Sequence, residues 1–136
     1  MEKQQTGRRT GASDREALRG YVALKGFFGI CTEWGCSQEE MRQLLGGISQ
    51  TTLEEYEKLP HTELPLEALK RISYVMGVYK SLRTIYPTAE RANRRIRLPT
   101  RELPFCGVSA LDFMTQGSMK HLKQARRYFD GKLGWS

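Results

Sequence analysis

The 136-residue sequence is poor in the side chains that most often do chemistry. Its only histidines are His61 and His121, and its only cysteines are Cys31, Cys36 and Cys106. Three thiols suit a reducing compartment and give no disulfide framework. Cys31 and Cys36 are separated by four residues, but no second Cys/His pair completes a zinc cage. His61 stands in a linker beside Pro60 and His121 on the polar side of the last helix, so nothing fixes a Cys/His pair for nucleophilic work. Carboxylates are scarce in the second half. No enzyme, metal or cofactor is therefore expected. No apolar run approaches the length of a bilayer span, and no charged-then-apolar leader opens the chain, so a cytoplasmic protein off the membrane is expected. No stretch alternates apolar and polar residues with period two over a useful length. A sheet has no support, and the class is all-α.

Hydrophobic residues make up 39% of the chain, enough for one domain or two small helical ones sharing a core. Met1–Ala12, polar and rich in Gly, Gln, Arg and Thr, reads as a mobile basic tail. The net charge of +7 is unevenly spread. Residues 33–67 carry eight acidic side chains against two basic, whereas residues 68–136 carry fourteen basic against four acidic. Such a division suggests two partners, or one acidic partner for the second half.

Helix signals recur along the chain. Ser13-Asp14-Arg15-Glu16 has capping-box spacing and opens a helix whose apolar face holds Leu18, Tyr21, Val22, Leu24, Phe27, Phe28, Cys31 and Trp34. Gly20, Gly26 and Gly29 weaken it and allow close packing or a break near Gly29. Ser37-Gln38-Glu39-Glu40 repeats the capping box before a short helix with Met41, Leu44 and Leu45 inward, and Gly46-Gly47 ends it. Ser49 caps Gln50–Lys58, with Leu53 and Tyr56 inward. From Pro65, apolar residues at Leu66, Leu69, Ile72, Met76, Tyr79, Leu82, Ile85 and Tyr86 mark a long helix up to Pro87. Thr88 caps a helix over Ala89–Leu98, Ser109 another that Gly117 closes, and Ser118 a last one with Gly131 beyond its end.

Short helix, glycine turn, apolar turn residue and Ser-capped helix follow the order of a DNA-reading helix-turn-helix, placed here within residues 13–60. A tight turn lifts the second helix so that its first side chains reach base edges in the major groove. Gln50, Thr51 and Thr52 take that place; Gln pairs in two positions with adenine, and the Thr methyl touches thymine. Gln38, Arg42 and Ser49 complete the candidate DNA-binding set, with Arg8, Arg9 and Arg15 as phosphate contacts. Glu54, Glu55 and Glu57 put like charge against phosphate on the same helix. Dimerisation shares the load between two half-sites.

Residues 64–136 resemble the toxin-binding domain of the Xre/MbcA/ParS antitoxins. The resemblance rests on Leu64-Pro65, Leu69-Lys70-Arg71-Ile72, Arg91-Ala92-Asn93-Arg94, Pro99, Phe105, Gly107, Ser109, Leu111-Asp112, Gly117, Tyr128-Phe129 and Gly134-Trp135. Leu44-Leu45-Gly46 and Ser49 match the Xre arrangement before it. Ala110 stands where the family usually has proline. The resemblance implies a type II antitoxin that covers the active site of a RES-domain toxin, an enzyme that consumes NAD or transfers ADP-ribose from it. It also implies a complex that represses its own operon on operator DNA, as a homodimer within the larger assembly.

Arg83, Arg94, Arg95, Arg126, Arg127 and Lys132 are candidate cations for an acidic rim on the toxin. Trp135 is a candidate anchor, or packs back on this chain's core. Tyr74, Tyr79 and Tyr86 read as core or dimer contacts. Two other classes compete: a stand-alone helix-turn-helix regulator without a toxin, and an RNA-binding or architectural protein using the basic half. The latter lacks the aromatic and glycine motifs of RNA modules.

Overall fold

A computed structural model of the chain describes residues 12–58 and 63–134. Its helices are α1 (Ala12–Trp34), α2 (Gln38–Leu44), α3 (Gln50–Lys58), α4 (Leu66–Ile85), α5 (Ala89–Arg95), α6 (Ala110–Met114) and α7 (Met119–Lys132). Among the described residues there is no strand, only an isolated antiparallel bridge between Pro99 and Ser109.

From Ser37 onward, the N-terminal caps form where the sequence puts them. Ser37 Oγ accepts from the Glu40 amide at 3.1 Å, and the Glu40 carboxylate accepts from the Ser37 amide at 2.9 Å. Ser49, Thr88, Ser109 and Ser118 likewise accept from amides in the first turns of α3, α5, α6 and α7. Each such cap is worth about 1 kcal/mol over alanine.

α1 differs from expectation at its start and along its face. It begins at Ala12, so Ser13 lies inside the helix and not at its cap; Ala12 is a strong helix former with no reason to stay outside. The helix runs unbroken through Gly20, Gly26 and Gly29. Burial of Leu24, Phe27, Ile30, Cys31 and Trp34 outweighs a glycine cost of about 1 kcal/mol each. Leu18 and Val22, expected on the apolar face, are 50% and 57% exposed. They stand half a helical turn away from Phe27 and Cys31, and no element among the described residues covers that side. Leu66, at the start of α4, is exposed as well.

α5 stops at Arg95, short of Leu98. Pro99 disfavours helix at Leu98, and the Ile96 carbonyl accepts from the Leu111 amide at 3.0 Å, turning the chain toward α6. α7 continues through Gly131 to Lys132; the glycine beyond its end is Gly134, at φ +87°.

α4 is the central beam. It packs on α1, α2, α5 and α7. One apolar cluster runs from Leu24 and Phe27 through Leu53 and Val75 to Leu111, Met114, Leu122 and Phe129, so the helices before and after the linker share a core.

Candidate functional site

α2 ends in a Schellman cap: the Gly46 amide donates to the Gln43 carbonyl at 3.0 Å and the Gly47 amide to the Arg42 carbonyl at 2.8 Å. Both glycines have φ near the left-handed region, +99° and +81°, which side-chain-bearing residues resist. Ile48 is half-buried against the core and pins the turn. Arg42 finishes it from the side, donating to the Ile48 carbonyl at 3.0 Å and to Glu39 at 2.9 Å. Arg42 thus builds the turn with two of its nitrogens.

The first residues of α2 and α3 are tied directly. Gln50 Nε2 donates to Gln38 Oε1 at 2.7 Å and to Glu54 at 3.3 Å, and Gln38 Nε2 reaches Glu57 at 3.5 Å. Ser49 caps α3 and Thr52 is hydrogen-bonded to it, while Thr51 is exposed. The structure therefore gathers Gln38, Arg42, Ser49, Gln50, Thr51 and Thr52 at one corner. Gln38, Ser49 and Thr51 are exposed, whereas Gln50 is held in an amide–carboxylate chain. Arg15 is exposed on α1; Arg8 and Arg9 lie outside the described residues.

Two arginines that sequence reasoning did not single out hold this corner to the rest of the chain. Arg71 of α4 is 5% exposed. It donates to the Gly117 carbonyl at 2.9 Å and to Glu67 at 3.1 Å, and lies so close to Gly46 that a Cβ there would be 3.0 Å from its Nε. Arg97 donates to the last carbonyls of α1, those of Trp34 (2.9 Å) and Gly35 (2.7 Å), and pairs with Glu40 at 3.0 Å. Burial pushes the Glu40 carboxyl up, but the hydrogen bond and charge of Arg97 and the Ser37 amide outweigh it and hold the group below its usual value. A basic residue after α5 is the only sequence trace of this clamp, and its target 62 residues away has no local signature.

The candidate cations of the second half do not form one patch. Arg83 donates to the Tyr79 hydroxyl, which donates to Glu33 of α1; Asn93 also reaches Glu33. Arg94 is exposed on α5. Arg95 is half-buried, bonded to the hydroxyls of Tyr86 and Thr100 and set over the Phe129 ring, a structural position. Arg126 crosses Gly77 of α4 and pairs with Asp130 at 3.5 Å. A Cβ on Gly77 would come within 2.7 Å of its Cδ, so only glycine leaves this path open. Arg127 faces the other way. It lines a recess of about 300 Å³ with Leu103, Pro104, Gln124 and Tyr128. Lys132 pairs with Glu102 at 3.3 Å and covers the Tyr128 ring, whose hydroxyl donates to Glu102. Leu103, 78% exposed, projects beside this group and was not anticipated. Trp135 lies outside the described residues, as does His61. His121 is not on a polar side: it is half-buried with its ring edge-on to Phe113 at 4.6 Å, because α6 folds over it. Tyr74, Tyr79 and Tyr86 pack against the core.

Among the described residues no three His, Cys, Asp or Glu side chains gather to hold a metal ion, and no helix is long and apolar enough to cross a membrane. Residues 15–77 match the family model of the antitoxin Xre-like helix-turn-helix domain. That span takes in α1, α2, α3 and the first part of α4, the elements that Arg71 and the shared core join. The chain is also 33% identical over 119 residues to the uncharacterized protein y4oB of Sinorhizobium fredii, covering 88% of this chain and 90% of that protein. The chain thus carries an antitoxin Xre-like helix-turn-helix domain over residues 15–77 and belongs to one family with y4oB, a relative of nearly the same length.

Proposed function

We propose that this chain is the antitoxin of a type II toxin–antitoxin pair, that it neutralises a RES-domain, NAD-consuming or ADP-ribosylating toxin by covering its active site, and that it represses its own operon through α2 and α3. What carries the reading is the match of residues 15–77 to an antitoxin domain on a chain whose remaining helices are strongly basic. In this reading residues 13–60 bind DNA and residues 64–136 bind toxin. No catalytic step is assigned to the chain.

DNA contact falls to Thr51 and Gln50, supported by Thr52, Gln38 and the turn set by Arg42 and Ser49. The exposed acids Glu54, Glu55 and Glu57 repel phosphate, so the helix touches bases through its first turn only. Toxin contact falls first to the Leu103–Arg127 recess. It offers an exposed apolar side chain and a cation side by side, the pairing that anchors an interface and meets an acidic rim. Lys132 flanks it and Trp135 follows α7 by three residues; Arg83, Arg94 and Arg126, which lie apart from the recess, are the remaining candidate contacts. Leu18 and Val22, one turn apart on the open side of α1, are the surface assigned to a second copy in a homodimer.

Co-expression with the neighbouring gene product tests the central claim. A stable complex, and rescue of growth arrested by that product alone, are expected. A neighbour that is harmless, or that purifies apart from this chain, leaves a stand-alone regulator and overturns the antitoxin reading. Within a complex that does form, Arg127→Glu with Leu103→Asp is expected to weaken assembly at least tenfold; unchanged assembly moves the toxin contact elsewhere.

A further inference from the structure

α1 ends in a second Schellman cap, and it brings the chain's two neighbouring cysteines together. Gly35, at φ +69°, is the left-handed residue. Its amide donates to the Thr32 carbonyl at 3.1 Å, and the Cys36 amide donates to the Cys31 carbonyl at 2.8 Å. These two bonds define the motif, and the residues joined by the longer one are those whose side chains habitually touch across it. In most caps that contact is between two apolar groups. Here both are thiols, and each is the main influence on the other's ionisation.

Their surroundings differ in the way a redox pair requires. Cys31 is 1% exposed, whereas Cys36 is half-exposed at the joint before Ser37. The neighbouring Cys31 lowers the Cys36 thiol below its ordinary value against the pull of burial, and the Arg97 charge helps. Cys36 and deep burial push the Cys31 thiol up. One sulfur is accessible and prone to ionise, with a protonated partner behind it. Cys106 is exposed on a distant loop and has no part in the cap.

We propose that Cys31 and Cys36 form an oxidisable dithiol that a hydroperoxide closes into an intramolecular disulfide across the C-terminal cap of α1. The Cys36 thiolate attacks one peroxide oxygen and breaks the O–O bond; the departing hydroxide takes up a proton and leaves as water, giving a sulfenic acid. The Cys31 sulfur then attacks the Cys36 sulfur, forming the S–S bond and breaking S–O, and its proton leaves with the hydroxyl as a second water. Two thiols and one hydrogen peroxide become one disulfide and two waters: the sulfurs give up two electrons and the peroxide takes them. Backbone closure at 2.8 Å already holds the two residues in the cap, so little rearrangement precedes the bond. The link lies across Trp34 and Gly35, whose carbonyls Arg97 grips, and one residue before the cap of α2. Oxidation thus acts on the segment that fixes where the helix-turn-helix sits, independently of whether its partner is a toxin.

The test is made on the full chain with Cys106→Ser, treated with hydrogen peroxide, denatured and alkylated. The expected result is a monomer lighter by two hydrogens, with Cys31 and Cys36 unalkylated and a cross-linked peptide that dithiothreitol opens. Cys36→Ser is expected to abolish the product, and Cys31→Ser to leave Cys36 as sulfenic or sulfinic acid. Because Cys31→Ser alters the core, the mass map of the unmutated pair decides the matter by itself. Full alkylation of both thiols after peroxide, or oxidation of Cys36 beyond sulfenic acid with Cys31 still free, overturns the proposal.

Discussion

Replacing Arg71 separates what a buried guanidinium does by charge from what it does by bulk. Its side chain is 6% exposed, while that of its ion-pair partner Glu67 is 66% exposed. Removing Arg71 therefore leaves a carboxylate that water can solvate, and the pair itself contributes less than about 1 kcal/mol. The hydrogen bond to the Gly117 carbonyl is the stronger one, worth about 1.5–3 kcal/mol as a bond to a charged group. Against it stands Arg71 Nη1, buried with no hydrogen-bond partner among the described residues, whose desolvation costs about 1–3 kcal/mol. The two nearly cancel. Arg71→Met keeps the stem against Gly46 and removes both, so it is expected to cost about 1 kcal/mol. Arg71→Ala also deletes the methylenes and opens a cavity between the α2 turn and the α6–α7 turn, for a total of about 3–4 kcal/mol. Urea unfolding followed by far-ultraviolet circular dichroism reads the three midpoints. If Met costs as much as Ala, charge and not packing holds the joint; if neither moves the midpoint, Arg71 holds nothing and the account of the corner is wrong.

Gly46→Ala and Gly47→Ala make a matched pair. Both strain a left-handed residue by about 1–2 kcal/mol, but only Gly46→Ala drives a Cβ to 3.0 Å from a buried arginine, so it is expected to unfold at clearly lower urea than Gly47→Ala. Gln50→Ala with Thr51→Ala is expected to lower operator affinity in a gel-shift assay while leaving the melting temperature within a few degrees, since neither side chain enters the core. Equal loss of fold and binding would return both residues to structure. For Glu40 the folded carboxyl sits below its usual value, so its contribution is present above the unfolded carboxylate range and fades as pH falls through the folded value. The stability gap between the natural chain and Glu40→Gln is thus expected to be widest at neutral pH and to close in acid; a gap that grows in acid reverses the sign.

Local signals are legible at most helix ends, where cause and effect lie within four residues, although Ser13 lies inside α1 rather than at its cap. Ser37, Ser49, Ser109 and Ser118 each act on an amide in the adjoining turn, and Gly46-Gly47 sets its own backbone. The apolar repeat of α4 likewise needs only its own period. Errors came where distant parts decide. Leu18 and Val22 look like core because they are apolar and helical, yet their burial depends on whether another element arrives on that side, and none among the described residues does. The sequence carries α5 on to Leu98, but Ile96 bonds to α6, which periodicity cannot foresee. His121 looks polar-facing on its own helix, but α6 closes over it from outside. Of the candidate site, the α2–α3 corner was legible as a motif. Arg71 and Arg97 were not, because an arginine that binds carbonyls 46 and 62 residues away carries no mark of its target.

Those two arginines bear on how the chain can be divided. α2 is gripped at its start by Arg97 through Glu40 and Gly35, and at its end by Arg71 against Gly46. Both come from beyond residue 64. Leu24, Phe27, Leu44 and Leu53 belong to the same cluster as Val75 and Val78 of α4. A fragment ending at residue 63 loses the central beam, both clamps and most cover over α1. Stripping even four large side chains of their cover forfeits about 6–12 kcal/mol, as much as the whole stability of many domains. Such a fragment is therefore expected to lack a cooperative melt and to bind operator no better than random DNA, even though it contains the entire helix-turn-helix. Extending it through α4 restores the beam and Arg71 and is expected to recover part of the transition. A fragment of residues 1–63 that melts cooperatively and binds specifically would show that the corner stands alone, and the dependence argued from Arg71, Arg97 and the shared core would be refuted.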